Sequence, residues 1–177
     1  MNAADLSTVP KDWEISHICI AVPDLDAWRE RFSLMFGTQW SSPVEIDHVV
    51  TAPRAEGGTK HIRGRGRYGS GSKPWVELFE GAPGSPWEVT DGQARLHHIG
   101  YWADDMEAAA RQLETAGYEL EYANRIDGRE EALIGWAYYR QPDGIRIEIH
   151  EGGDRAAFRR WVDEGQPLVV DWGVEAP

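Results

Sequence analysis

Hydrophobic and polar positions along the chain predict the same series of elements twice. In the first copy, an alternating stretch over residues 15–22 predicts a strand, and apolar residues at helical spacing from Leu25 to Met35 predict a helix. Asp24 is suited to cap the start of this helix, and Gly37 is suited to end it. Three further strands are predicted over residues 44–51, 61–68 and 75–79.

The second copy repeats this order with shorter connections. Asp105 and Gly117 bracket a second helical stripe of apolar residues. Turns are predicted at Asp127-Gly128 and at Pro142-Asp143-Gly144. Three strands are predicted over residues 119–125, 133–140 and 145–151, and a last short helix over residues 154–163. Each copy therefore predicts a strand, a helix and three more strands.

This duplication predicts an α+β fold made of two tandem βαβββ modules. The predicted divisions are a leader over residues 1–12, a first module over 13–81, a linker over 82–95, a second module over 96–152, and a C-terminal helix and tail over 153–177.

One histidine and one glutamate occupy matching positions in the two copies. His17 and His98 begin the first strand of each copy, and Glu77 and Glu148 each stand between two aliphatic residues in the last strand. Because neighbouring strand residues point to opposite faces, each carboxylate points away from the packed side of its strand. Solvent-facing carboxylates and structural histidines are the alternative explanation, but the repetition of the whole set favours a shared site.

Two imidazoles and two carboxylates form a donor set of intermediate softness. Such a set suits a divalent zinc, nickel, cobalt, manganese or iron ion. We therefore predict a metal ion held between the two copies by His17, Glu77, His98 and Glu148.

Composition limits the classes of partner. The net charge of -12 argues against nucleic-acid or anionic-membrane binding as the main activity. Hydrophobic content of 41% and nine tryptophans indicate a folded globule. The single cysteine, Cys19, and the lack of a long apolar run favour a cytoplasmic location. Cys19 shares a strand face with His17 and is expected to be a small buried residue or to line the cavity.

The end of the second copy resembles a known superfamily. The run Tyr139-Arg140-Gln141-Pro142-Asp143-Gly144-Ile145-Arg146-Ile147-Glu148, with the paired His-Ile starts, resembles the vicinal oxygen chelate proteins. These include glyoxalase I, methylmalonyl-CoA epimerase, extradiol dioxygenases and bleomycin-resistance proteins. The resemblance covers residues 13–152 and departs from the usual acidic residue at Gln141.

The resemblance implies a fold and a reaction class. The two modules would join into a curved, cup-shaped mixed sheet with a divalent metal on its floor, held by the four residues named above. The metal would polarise a substrate carbonyl while Glu77 and Glu148 move a proton on the adjacent carbon, as in isomerases, epimerases or lyases. An extradiol ring-cleaving dioxygenase and a non-catalytic drug- or metabolite-binding protein are the alternatives.

Two groups of residues are candidates for binding the substrate. Arg63, Arg65 and Arg67 alternate along one predicted strand and would clamp the anionic group of an organic acid or acyl-CoA if they faced the cup. The alternative is an edge strand with solvated arginines. Trp75 and Trp102 would form apolar walls, or fill core. A homodimer is expected.

Two other histidines lie close to the predicted ligands in sequence. His97 precedes His98 and is predicted to point to the packed or opposite face. His150 lies on the same strand face as Glu148, and a surface position near the strand end is favoured over a role beside the metal.

Overall fold

The computed structural model describes residues 13–71, 73–126, 128–129, 132–142 and 144–170. The predicted leader, the end of the tail, Asp127 and Asp143 lie outside the described residues. The first module contains β1 (Glu14–Ala21), α1 (Leu25–Phe36), β2 (Val44–Thr51), β3 (Thr59–Gly69) and β4 (Trp75–Gly81). The second contains β5 (Arg95–Ala103), α2 (Met106–Thr115), β6 (Glu119–Ala123), β7 (Trp136–Arg140) and β8 (Arg146–Glu151), and α3 (Arg155–Glu164) follows. The predicted duplicated α+β fold is confirmed.

The eight strands form one curved mixed sheet in the order β1-β4-β3-β2-β6-β7-β8-β5. β1 and β5 run antiparallel to each other along the junction of the modules, and each lies parallel to the last strand of its own module. On the far side, β2 meets β6 through the single pair Thr51 and Ala123. The predicted cup is therefore observed, and its two outer walls touch.

Local sequence sets the ends of the helices as expected. Asp24 accepts a hydrogen bond from the Ala27 amide, and Asp105 accepts one from the Ala108 amide. Gly37 ends α1 with a φ of 67°. This left-handed conformation is accessible to glycine without steric cost.

The interior of the cup is filled from an unexpected source. Trp87, in the predicted linker, is buried and stacks on Phe79 with ring centroids 4.2 Å apart. The linker therefore contributes to the core rather than only joining the modules.

α3 covers another part of the cup. Phe158, Trp161 and Val162 form its buried face, as the sequence predicts. Within the described residues, no helix is both long and apolar enough to cross a lipid bilayer.

Candidate metal centre

The four predicted ligands come from four adjacent strands. His17 lies on β1, His98 on β5, Glu77 on β4 and Glu148 on β8. All four are buried, with at most 4% of each residue exposed. Since β1 and β5 adjoin at the module junction and each pairs with its own last strand, the topology itself brings the four side chains together.

The polar atoms of this group gather around the two imidazole nitrogens. The two Nε2 atoms of His17 and His98 are 2.8 Å apart. Glu148 Oε2 lies 3.0 Å from His17 Nε2 and 2.9 Å from His98 Nε2. Glu77 Oε2 lies 3.4 Å from each of the same two nitrogens.

These separations fit a set of ligands around one ion. Two ligand atoms at about 2.1 Å from a metal are separated by about 3.0 Å at a right angle and by about 3.4 Å at the tetrahedral angle. The observed distances of 2.8–3.4 Å span this range. Oε2 of Glu77 and of Glu148 is buried without a well-aligned hydrogen bond to any described residue. Buried carboxylate oxygens of this kind suit coordination to a cation.

A glycine leaves the space that one imidazole occupies. Gly100 lies opposite His17 in the pairing of β1 with β5. A Cβ atom at Gly100 would collide with the His17 ring. The sequence position of this glycine is therefore explained by the site.

The four groups also set each other's ionisation. Burial would lower the pKa of His17, but its close contacts with the Glu148 and Glu77 carboxylates outweigh burial and raise the pKa to about 9. Burial would raise the pKa of Glu77, yet the contacts with His17 and His98 hold it below the ordinary value. Burial would also raise the pKa of Glu148, but its contacts with His150 and His98 hold that pKa well below the ordinary value.

His150 belongs to this cluster. It is 4% exposed, and its Nε2 lies 2.9 Å from Glu148 Oε2. The surface position favoured for His150 is wrong, because α3 covers this end of β8: the rings of His150 and Phe158 are 5.3 Å apart. His17, Glu148 and His150 form a second possible ligand triad that shares His17 with the triad of His17, Glu77 and His98.

His97 also faces the interior. It is 7% exposed and packs beside Trp87 and Tyr138 inside the cup. Of the two expected positions, the packed or the opposite face, the structure shows a packed one, on the same side of β5 as His98. The pairing of β1 with β5 shifts register at this position, so His97 is an extra residue on β5 and does not follow the usual alternation. Burial lowers its pKa well below the ordinary value.

Cys19 is fully buried beside the cluster. It can form a third possible triad with His97 and His98. Burial and the neighbouring Glu77 raise the pKa of the Cys19 thiol well above its ordinary value.

A cavity of about 570 Å³ opens onto the two glutamates and is lined largely by aromatic rings. Its aromatic residues are Tyr68, Phe79, Trp136, Tyr138, Phe158 and Trp161. The two tyrosines are placed alike: Tyr68 lies opposite Glu77 in the strand register, and Tyr138 lies opposite Glu148. Burial, together with the two carboxylates, raises the pKa of both phenols well above the ordinary value, so both remain hydrogen-bond donors.

The three predicted substrate-binding arginines lie on the other face of β3. Arg65 pairs with Asp26 of α1 and with Glu80, and Arg67 donates to the Ser41 carbonyl oxygen. Arg63 shares this outer face and is exposed. None of the three lines the cavity described here, so the predicted clamp is wrong for this site.

The inner face of β3 is instead formed by Ile62, Gly64, Gly66 and Tyr68. A Cβ atom at Gly64 or Gly66 would collide with the ring of Phe79. The two glycines therefore make room for an aromatic side chain inside the cup, and the arginines between them must point outward.

Trp75 and Trp102 share strand faces with Glu77 and His98, as predicted, but they support α3 rather than line the cavity. Both are 3% exposed and pack against Phe158 and its neighbours. The Trp75 indole donates a hydrogen bond to Asp163 at 2.9 Å. Of the two expected roles, the structure therefore shows the packing role.

Two further polar residues line the cavity and were missed in the sequence. His48 Nε2 and Asn124 Nδ2 are buried and make no hydrogen bond to any described residue. Burial lowers the pKa of His48, so its imidazole is neutral at neutral pH. The alternation of His48 with Ile46 and Val50 on β2 was the available signal.

Comparison with known proteins agrees with this fold. No curated protein matches the sequence. Methylmalonyl-CoA epimerase from Mycobacterium tuberculosis superposes with a TM-score of 0.57 and 20% identity, over 88% of this chain and 99% of that chain. A Streptomyces coelicolor methylmalonyl-CoA epimerase in complex with 2-nitronate-propionyl-CoA gives a TM-score of 0.52 and 20% identity, over 77% and 94% of the two chains. A hypothetical protein from Bacillus halodurans superposes with a TM-score of 0.56 and 16% identity, over 80% of this chain and 95% of that chain. At these identities the likeness concerns the fold.

The family assignment rests on the sequence match. Residues 16–139, most of both modules, match the family described as Glyoxalase/Bleomycin resistance protein/Dioxygenase superfamily. The same group was indicated by the paired His-Ile starts and the Pro-Asp-Gly ending. The chain belongs to the Glyoxalase/Bleomycin resistance protein/Dioxygenase superfamily.

Proposed function

We propose that the chain is a divalent-metal-dependent isomerase or epimerase that moves a proton on a carbon next to a carbonyl group. The observation that carries this proposal is that Nε2 of His17 and Nε2 of His98 lie 2.8 Å apart, each within 2.9–3.4 Å of one oxygen of Glu77 and one of Glu148, at the wall of the cavity. The metal would be held by these four residues. It would act as a Lewis acid that stabilises negative charge on a substrate oxygen.

The two glutamates are candidates for moving the proton. Glu148 has three imidazole nitrogens within 3.0 Å, whereas Glu77 has two at 3.4 Å. Glu77 is therefore the less tightly held carboxylate, and we assign it the first proton transfer from the substrate carbon. Return of a proton to the same carbon from the side of Glu148 would invert that carbon, as in an epimerase.

The cavity supplies the remaining contacts. The phenols of Tyr68 and Tyr138 stay protonated and can donate to the oxygens of a bound substrate. The aromatic walls suit an apolar body and exclude water from the reacting carbon. His48 and Asn124 offer further polar contacts to the substrate.

The first substrate class to examine is the acyl-CoA thioesters. Several of the similar structures are of methylmalonyl-CoA epimerases, one of them in complex with methylmalonyl-CoA and NH4+. Short 2-oxo and 2-hydroxy acids form the second class, because they too present a carbonyl or hydroxyl oxygen beside an acidic carbon.

The test combines metal analysis with proton exchange. Protein purified without chelator should contain close to one divalent ion per chain by elemental analysis. In D₂O, methylmalonyl-CoA or one of the acids should exchange the hydrogen next to its carbonyl, followed by proton NMR. Glu77→Gln should retain metal and lose the exchange. Absence of stoichiometric metal, or exchange that is unaffected in Glu77→Gln, would contradict the proposal.

A ring-cleaving dioxygenase is the second candidate, because six aromatic residues line the cavity and suit a planar ring. Two imidazoles and one carboxylate would then hold iron, with open positions for catechol and oxygen. Anaerobic loading with Fe²⁺ followed by catechol should then give oxygen uptake. If no oxygen is consumed while deuterium exchange is observed, the isomerase assignment stands and this candidate falls.

A further inference from the structure

Each histidine of the candidate metal site is preceded by a residue that has no partner in the pairing of β1 with β5. Along the β1–β5 ladder, Ile15 pairs with Tyr101 and His17 with Gly100, so Ser16 has no partner of its own. Cys19 pairs with His98 and Ile20 with Leu96, so His97 is left over in the same way. Both modules thus carry a one-residue bulge immediately before the histidine.

The bulges bring two neighbouring side chains to the same side of the strand. Ser16 and His17 are both buried, as are His97 and His98, although regular alternation would place the members of each pair on opposite faces of the sheet. Ser16 Oγ lies 2.8 Å from His17 Nδ1. His97 Nδ1 lies 2.7 Å from His98 Nδ1. In both modules the extra residue contacts the ring nitrogen that faces away from the candidate metal.

This contact decides where each ring proton sits. A neutral imidazole carries one proton, and it can bind a metal only through the nitrogen without it. If His17 donates its Nδ1–H to Ser16 Oγ, Nε2 keeps its lone pair. If His98 donates its Nδ1–H to His97 Nδ1, Nε2 of His98 is free in the same way.

One of the two outer contacts of His97 agrees with this arrangement. His97 must then carry its own proton on Nε2, which lies 3.0 Å from the Pro86 carbonyl oxygen, and a carbonyl oxygen can only accept. Arg146 also contacts His97 Nε2 and can only donate. The arrangement therefore requires this guanidinium to turn away from Nε2, keeping its two bonds to Glu121.

We propose that Ser16 and His97 are positioning residues that hold the protons of His17 and His98 on Nδ1, so that both Nε2 atoms present lone pairs to one divalent ion. This inference rests on the metal site of the proposed function. The two modules hold the Nδ1 proton with different acceptors. In the first, the acceptor is the Ser16 hydroxyl; in the second, it is the His97 imidazole, which itself donates to the Pro86 carbonyl oxygen.

Matched substitutions at His97 test the proposal. His97→Asn places an amide oxygen where Nδ1 stood, whereas His97→Leu has nearly the same shape as Asn and no acceptor. Zn²⁺ affinity should be measured by competition with a chromophoric chelator, on variants whose circular dichroism shows that they are folded. Removing a partner of this kind costs about 10–100-fold in metal affinity. His97→Leu should show that loss, and His97→Asn should stay close to wild type.

The first module provides an independent pair. Ser16→Ala removes the acceptor and should weaken Zn²⁺ binding, whereas Ser16→Thr retains a hydroxyl and should bind as wild type does. A residue that matters only for packing would lower the unfolding temperature in all variants without separating those that have an acceptor from those that lack one. Equal Zn²⁺ affinity in all four folded variants would overturn the proposal.

A measurement on the wild-type protein does not depend on any variant folding. Ring ¹⁵N chemical shifts of ¹⁵N-histidine protein loaded with Zn²⁺ should place the proton of His17 and His98 on Nδ1, and that of His97 on Nε2. A proton on Nδ1 of His97 in the Zn²⁺-loaded protein would overturn the inference, because His97 could not then accept from His98. The two proposals fail differently: wild-type protein that binds no Zn²⁺ refutes the metal centre itself, whereas tight binding that is indifferent to Ser16 and His97 refutes only the positioning role.

Discussion

The two modules contribute equally to the candidate metal centre but are packed unequally. Each supplies one histidine from its first strand, one glutamate from its last strand and one tyrosine opposite that glutamate. Around this common frame the residues differ. Gly100 lies opposite His17, whereas Cys19 lies opposite His98. Duplication therefore preserves these three positions in each module and leaves the surroundings free to diverge.

The two helices also differ in how many of their residues are buried. α2 buries Met106, Ala109, Ala110 and Leu113, whereas α1 buries only Leu25. At the end of α1, Leu34 is 80% exposed and Phe36 is 68% exposed. Since helical stability in proteins comes mainly from packing, α2 should be the more strongly anchored helix.

Leucine truncations in the two helices should give the largest contrast. Leu113 is 6% exposed within the α2 core cluster, so Leu113→Ala should lower the free energy of unfolding by about 2–5 kcal/mol. Leu34→Ala should change it by less than about 0.5 kcal/mol, because the side chain is already in water. Urea unfolding of both variants, at one fixed metal concentration, checks this. An equal loss of unfolding free energy in both variants would show that Leu34 of α1 is buried in solution, for example against a second copy of the chain.

Neutralising the two glutamates in turn should separate their contributions to metal binding. Glu148 contacts three imidazoles at 2.9–3.0 Å, and Glu77 contacts two at 3.4 Å. We expect Glu148→Gln to weaken Zn²⁺ binding about 100-fold, roughly 2.7 kcal/mol, and Glu77→Gln to weaken it about tenfold. Titration against a competing chelator measures both. A larger loss in Glu77→Gln would exchange the roles assigned to the two carboxylates.

Filling the space at Gly100 should displace one ligand. A Cβ atom there would collide with the His17 ring, so Gly100→Ala should cost about 1–3 kcal/mol of stability and weaken Zn²⁺ binding. The matched change in the other module is Cys19→Ala, which removes one buried atom and should cost about 1 kcal/mol. It should leave the position of His98 and the Zn²⁺ affinity close to wild type. Unchanged Zn²⁺ affinity in Gly100→Ala would mean that His17 is not a ligand.

Features set by local sequence or by internal repetition could be predicted without the structure. The caps Asp24 and Asp105 satisfy the first amides of their own helices, so the pattern alone identifies them. The convergence of His17 with Glu148 follows from duplication: once two equivalent modules are recognised, equivalent positions meet at their junction.

Features set by pairing between distant strands could not be predicted. The alternation of Arg63 with Gly64 and Arg65 was visible, but which face points inward depends on the Phe79 ring from the neighbouring strand. The position of His97 beside His98 could not be predicted because a bulge changes the alternation, and a bulge exists only relative to a partner strand. His150 was misplaced because its burial comes from α3, which lies outside the repeated modules.

Removing the N-terminal cap of each helix should give the smallest change in stability, and it compares α1 with α2 directly. Asp24 and Asp105 each accept one amide hydrogen bond, at 2.9 and 2.8 Å, and loss of such a cap typically costs about 1 kcal/mol. Because α2 is anchored in the core, Asp105→Ala should lower global stability by that amount. Asp24→Ala should instead increase hydrogen exchange in α1 with a smaller global change, because a loosely packed helix can open locally. Asparagine at either position keeps the acceptor and serves as the control. A larger global loss in Asp24→Ala than in Asp105→Ala would contradict the inequality between the helices.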